Sequence, residues 1–232
     1  MAGLASLVSY PALLAAGLPP VAANVTNTVA MTGTTIGAAA GSIPELRGQR
    51  RRLMSLAAQM TVGGLAGVAL LLGTPASAFE AVVPWLIALG AALLLARDRI
   101  RSWVLRADVA ASAGVGQRLL WVALTLLVGG HAGYFGAGSG IILLALLAIR
   151  NHEPLPISNA VKNVGTGVAN ILAAAVYLVL APVDHLAAAA MGSGAVVGAW
   201  TGPKLVRILP ERAMRIGVAC AGFGLAAWLL LS

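Results

Sequence analysis

The stretch Asn159-Ala-Val-Lys162-Asn163-Val-Gly165-Thr166-Gly167-Val-Ala-Asn170 sets one ammonium among three carboxamides and a hydroxyl. From Asn159 the polar positions recur at +3, +4, +7 and +11, so a helix gathers them on one face. A small oxyanion offers several acceptor oxygens, and ammonium and amide N–H groups satisfy them without a metal. Lys162 is also the only charged residue that falls inside a long apolar segment. A lysine at the centre of a membrane helix costs about 2.5–3.5 kcal/mol on insertion scales. Two explanations of that cost stand: Lys162 packs against carbonyls for structure alone, or it faces an internal cavity and meets an anion. A single lysine, rather than an arginine cluster, suits a carrier, which must bind weakly enough to release.

These residues need elements to position them, and composition fixes their class. Hydrophobic residues make up 59% and charged residues 9%, against roughly 25% charged in a soluble domain. The mean hydropathy is +0.92, and apolar stretches of about 20 residues, the length that crosses a bilayer, recur along the chain. The chain reads as an all-α polytopic membrane protein. Its pI near 11.1 does not point to nucleic acid, because the arginines form short clusters between spans, as orientation in a membrane requires. The one cysteine, Cys220, excludes an internal disulfide and any cysteine metal cluster. In its apolar stretch it reads as a small buried hydrophobe.

The polar stripe has a counterpart. Sliding residues 1–97 onto 136–232 brings Gly3 onto Gly138, Pro19 onto Pro154, Asn24 onto Asn159, Gly63 and Gly67 onto Gly198 and Gly202, and Pro75 onto Pro210, a constant offset of 135 without a gap. Glycine, proline and asparagine each punctuate structure for their own reason, so their coincidence marks an internal repeat. Asn24, Asn27, Thr28 and Thr35 correspond to Asn159, Lys162, Asn163 and Asn170. Two polar faces at equivalent places suggest one site built at the repeat interface.

The spans read as about 22–42, 53–73 and 79–96, a Gly-broken stretch 119–149, then 158–181, 185–205 and 212–231. If 119–149 crossed once, Arg150, Lys204, Arg207, Arg212 and Arg215 would lie opposite the arginines of 47–52 and 97–118. If it enters and returns on one side, every loop cation lies inside, which the positive-inside rule prefers. Its middle, Gly129-Gly130-His131-Ala-Gly133-Tyr134-Phe-Gly136-Ala-Gly138-Ser139-Gly140, can make that turn. Non-helical backbone at membrane depth survives only where protein or a water-filled cavity satisfies it. Two half-helices meeting there would aim a positive helix end at the cavity. The run is not a nucleotide loop, since no Lys-Ser/Thr follows Gly140. Three full spans per half then make the repeats inverted. The same offset places the counterpart of Arg118 before Met1, so an upstream arm of the first repeat is expected.

Other residues carry open alternatives. His131 either hydrogen-bonds substrate or carries a proton, or it is a satisfied structural histidine; Tyr134 and Ser139 either line the cavity or are structural. No pair of histidines has metal-ligand spacing with a carboxylate. Gly63 with Gly67, and Gly198 with Gly202, read as close helix-packing positions. No carboxylate pair or nucleophile–base arrangement occurs within the spans, which argues against an enzyme.

At these residues the chain resembles a known family. Gly133-Tyr-Phe-Gly136-Ala-Gly138-Ser-Gly140, followed by Asn159-Ala-Val-Lys162-Asn163-Val-Gly165-Thr166-Gly167, is similar to the second half of the TauE/SafE sulfite exporter family. Tyr10-Pro-Ala-Leu-Leu-Ala-Ala-Gly-Leu-Pro-Pro20 with Ala23-Asn24-Val-Thr26-Asn27-Thr28 resembles its first half. The likeness covers nearly the whole chain and rests on glycine, small and amide residues rather than on a catalytic signature. It implies an inner-membrane permease for sulfite, sulfoacetate or another sulfur-containing anion; some relatives take up thiosulfate. The chain departs from the family at its start, where the first Gly-rich arm is missing. It has no cysteine near the glycine loop, unlike the cysteine relay of the thiosulfate-uptake relatives.

The expectation is therefore two inverted repeats of three spans with a re-entrant Gly-broken hairpin, the first repeat truncated at its start. Residues 1–97 form the first repeat, 98–118 a basic cytoplasmic linker and 119–232 the second repeat. The function expected is secondary transport of a small sulfur-containing anion across the cytoplasmic membrane, in the export direction, with thiosulfate uptake and a non-transporting accessory subunit as alternatives. No cofactor, metal or nucleic-acid partner is expected; the lipid bilayer is one partner and a homo-oligomer stays open. The expected substrate-binding residues are Asn24, Asn27, Thr28, His131, Ser139, Asn159, Lys162, Asn163, Thr166 and Asn170.

Overall fold

Proline, glycine and short polar side chains decide where the helices begin and end. In the computed structural model, which describes residues 5–40, 44–106, 115–150, 155–206 and 211–231, the first helix, α1 (Ala5–Ala15), stops at Gly17. Gly17 takes φ +91°, and the Leu18 N–H reaches the Leu13 carbonyl while the Gly17 N–H reaches Leu14, a Schellman closure. Pro20 opens α2 (Pro20–Ala40) at the helix position where a missing N–H is harmless. A short 3₁₀ turn (Pro44–Leu46) leads to α3 (Arg50–Gly73) and α4 (Ala76–Arg106).

The second part of the chain runs through α5 (Val115–Tyr134), α6 (Ser139–Arg150), α7 (Leu155–Leu180), α8 (His185–Val206) and α9 (Glu211–Leu231). Asp184 caps α8, its Oδ1 accepting the Ala187 N–H at 2.8 Å. No strand occurs among the described residues.

The helix starts repeat the sequence offset. The starts of α2, α3 and α4, at residues 20, 50 and 76, return 135 residues later as those of α7, α8 and α9, at 155, 185 and 211. Contacts follow the same offset: between the halves α3 packs on α7 as α8 packs on α2, and α4 on α6 as α9 on α1, while within them α1 packs on α2 as α6 on α7. The equivalent helices α2 and α7 pack directly on one another, as do α4 and α9.

Most of the large side chains turned inward are apolar. One cluster gathers Tyr10, Phe79, Ile87, Leu94, Phe135 and Tyr177; a second gathers Met60, Leu143 and Val161. Large apolar side chains also face outward, among them Leu70, Leu127, Val179 and Leu186, a surface that only a bilayer covers cheaply. Among the described residues, Arg50–Gly73, Ala76–Ala96 and Ile157–Leu180 are long and apolar enough to cross a membrane. The chain is a multi-pass membrane protein.

Three details depart from the sequence reading. Residues 5–15 form a helix that was not among the expected spans. The third expected span does not end at 96: α4 continues to Arg106, because Arg, Ile, Trp, Val and Leu sustain a helix once it emerges. Cys220 is exposed, not buried; in lipid an outward position costs a small apolar thiol nothing, so apolar surroundings in sequence do not imply burial in protein.

Helices α3 and α5 approach most closely, through glycine. A Cβ at Gly63 would strike the Leu126 carbonyl, one at Gly67 the Gly130 carbonyl, and one at Gly133 the Gly64 carbonyl. The Gly63/Gly67 reading as a packing pair is thus correct. The surroundings of Gly198 and Gly202 lie outside the described residues.

Candidate substrate cavity

The glycine-rich segment breaks a helix, and the break creates the site. Gly136 and Gly138 both take φ +82°, a conformation side chains rarely adopt. Four residues, Phe135–Gly138, therefore separate the end of α5 from the start of α6. A break exposes backbone groups, and each one left unsatisfied in a bilayer costs several kcal/mol.

Several of the carbonyls here find donors. The His131 carbonyl accepts the Phe135 and Gly136 N–H groups, each at 3.0 Å. The Gly133 carbonyl accepts the Tyr177 hydroxyl of α7, and the Tyr134 carbonyl accepts Asn24 Nδ2 of α2 at 2.8 Å. His131 Nε2 lies 3.0 Å from the Ala137 carbonyl. A carbonyl can only accept, so Nε2 carries the proton. Asn24 and His131, both expected to bind substrate, thus close the broken backbone.

Beside the break lies a cavity of about 100 Å³, room for several water-sized groups. Its wall includes Ser139 and Gly140 at the start of α6, Phe135 and Gly136 in the break, and Ala132 before it. Helix α2 supplies Asn27, Thr28, Met31, Thr34 and Thr35; α7 supplies Thr166 and Asn170; α1 supplies Ala5 and Ser6. Asn27, Thr28, Ser139, Thr166 and Asn170 were expected there. The two stripes meet as the repeat requires: Asn170 Nδ2 donates to the Thr28 carbonyl at 3.3 Å, joining α7 to α2.

The structure puts Asn24, His131, Asn159, Lys162 and Asn163 outside that wall. Lys162 is 2% exposed, and its ammonium donates to Asn159 Oδ1 at 2.9 Å. Its carbonyl accepts the Thr166 hydroxyl at 2.9 Å, so Lys162 sits one turn behind a wall residue. Also buried on this part of α7 are Ser158 and Asn163, whose Oγ and Oδ1 have no partner among the described residues.

Several wall residues escaped the sequence reading. Thr34 is one position from the stripe that ends at Thr35, and only the helix phase places both in the wall. Ser6 sits on α1, which was not read as a helix, and so does Ser9, which lies behind the wall and whose Oγ donates to Asn27 Oδ1. Among the described residues no three His, Cys, Asp or Glu side chains converge as a metal site would need.

A family model described as Sulfite exporter TauE/SafE matches residues 1–229. No curated protein and no solved structure matches the chain.

Proposed function

The chain belongs to the sulfite exporter TauE/SafE family, and on that premise we propose that it is a secondary carrier exporting a small sulfur-containing anion, such as sulfite or an organosulfonate, across the cytoplasmic membrane. The observation that carries this reading is a cavity with hydroxyl and amide side chains in its wall, beside a broken helix pair in a largely apolar molecule. Residues from both halves of the chain wall it, which is where a carrier built from repeats binds its cargo.

The proposal includes the topology. The two repeats are inverted, the α5–α6 pair is a re-entrant hairpin, and the basic segment 98–118 is a cytoplasmic linker between repeats 1–97 and 119–232. Support comes from the common offset of the helix starts, from the two left-handed glycines at the break, and from the positive-inside count over the loops. Asn27, Thr28, Ser139, Thr166 and Asn170 form the binding wall. Lys162, hydrogen-bonded to Asn159 beside Asn163, lends the wall a positive charge from behind α7 in a medium where charge acts over distance. His131 and Asn24 close the broken backbone beside the cavity.

The test is flux of radiolabelled sulfite in proteoliposomes of the purified full chain, with thiosulfate and an organosulfonate run in parallel. Saturable sulfite or sulfonate movement above protein-free vesicles supports the proposal. Movement of thiosulfate alone would replace export with uptake of that anion, and no movement of any of the three would remove the carrier reading.

A further inference from the structure

The threonine hydroxyls of the cavity, and that of Ser139, have already used their protons. Thr28 Oγ donates to the Asn24 carbonyl at 3.0 Å, Thr35 Oγ to Met31 at 3.3 Å, and Thr166 Oγ to Lys162 at 2.9 Å. Thr34 Oγ likewise donates to Met31 at 2.7 Å and Ser139 Oγ to Gly136 at 2.7 Å. A hydroxyl has one proton and two lone pairs, so each of these presents lone pairs to the cavity. Asn170 commits one Nδ2 proton to the Thr28 carbonyl, which leaves its Oδ1 as an acceptor beside a second N–H.

Donors occur elsewhere in the wall. Ser9 Oγ lies against Asn27 Oδ1 and also within 2.8 Å of the Ala5 carbonyl; with its single proton on Oδ1, the Asn27 amide presents Nδ2 to the wall. The Gly140 N–H, in the first turn of the 12-residue α6, has no backbone partner outside the helix ladders and lies at the positive end of the helix dipole. The wall is therefore mixed, with acceptors from Thr28, Thr34, Thr35, Ser139, Thr166 and Asn170 and donors from Asn27 and the Gly140 N–H of α6.

An oxyanion without protons offers acceptors only. It suits Asn27 and α6 but sets its other oxygens against lone pairs, unless the hydroxyls abandon their carbonyls inside a membrane. A bare cation has the opposite mismatch. An anion that carries one hydroxyl satisfies both parts of the wall.

We propose, resting on the carrier reading above, that the cavity selects monoanions bearing their own hydrogen-bond donor, so that sulfite is carried as hydrogen sulfite and not as the dianion. The anionic oxygens accept from Asn27 Nδ2 and the α6 N-terminus, and the hydroxyl donates to the Thr166 and Asn170 oxygens. Hydrogen sulfite and sulfite interconvert near neutral pH, so the two forms can be compared in one assay.

Initial rates of sulfite flux in proteoliposomes would be measured from acid to alkaline pH. All rates should fall on one saturation curve when plotted against hydrogen sulfite. The KM in total sulfite should then rise about tenfold per pH unit on the alkaline side. A single curve against the dianion, or against total sulfite, overturns the proposal and leaves the carrier reading intact. At fixed pH, hydrogen carbonate should compete and nitrate, which has no donor, should not; equal competition also overturns it. Thr166→Val keeps the shape and deletes the acceptor. It should raise the hydrogen sulfite KM at least tenfold, with Thr166→Ser restoring it, whereas an unchanged KM in Thr166→Val counts against the proposal. Absence of flux at every pH removes the carrier reading and this inference together.

Discussion

Asn24 Nδ2 donates to the Tyr134 carbonyl at 2.8 Å, joining residues 110 positions apart in the chain. One belongs to the central helix of the first half, the other to the last turn of α5 before the break. The bond gives Asn24 a structural task that its place in a polar stripe did not reveal. It also shows how a broken helix survives in an apolar molecule, because the carbonyl freed by the break is met by a side chain from the other half.

That bond can be weighed directly. Asn24→Leu keeps the branched outline and leaves the Tyr134 carbonyl without its partner, which costs about 1–3 kcal/mol. The thermal midpoint of the purified protein in detergent should fall by several degrees. Sulfite flux should fall no more than the folded fraction does. An unchanged midpoint would mean that water or another donor replaces the amide.

The α3–α5 contact predicts a contrast between two glycines on one helix. Gly67→Ala drives a Cβ into the Gly130 carbonyl, which is backbone and cannot swing aside. Overpacking of this kind costs about 1–3 kcal/mol or more. Gly73→Ala meets nothing within 4 Å, so it should be neutral or slightly stabilising. Thermal midpoints in the same detergent decide it; equal effects would show that α3 and α5 do not approach as closely as described.

Much of the architecture was legible because it depends on local chemistry. Pro20, Gly17, Pro75 and Asp184 punctuate helices through their own backbone or side-chain geometry. The 135-residue offset read from Pro19/Pro154 and Asn24/Asn159 returns in the helix starts. The site was legible only in part. A 3.6-residue stripe identifies a face but not its depth, so Thr166 and Asn170 reach the cavity while Lys162 and Asn163 stay behind it. Ser9, which orients the Asn27 amide, carries no periodic signal, because α1 is short and has Pro11 inside it.

Topology follows from the loop charges and can be read by labelling. The exposed native thiol must first be removed as Cys220→Ser. Asp184 caps α8, so the neighbouring exposed His185 is the better reporter. In intact cells an impermeant thiol reagent should label His185→Cys and Ser232→Cys and spare Arg106→Cys. Protection of both His185→Cys and Ser232→Cys would mean that residues 119–149 cross the membrane once.

The remaining prediction concerns the buried charge. Lys162 is 2% exposed and donates to Asn159 Oδ1, yet its insertion cost of about 2.5–3.5 kcal/mol needs a return. A fixed ammonium one turn behind Thr166 raises the potential of the whole cavity, since few waters screen it there. Lys162→Met keeps the length and removes both the charge and the cost of inserting it. Expression and thermal midpoint should hold or rise, while anion flux should fall at least tenfold. Lys162→Arg keeps the charge but presents a planar fork in place of a point ammonium, so it should restore flux poorly. A Lys162→Met protein that is less stable and loses flux only in proportion would make the lysine a packing residue. One that folds normally and moves anion at the original rate would show that the cavity draws its anion with neutral donors alone.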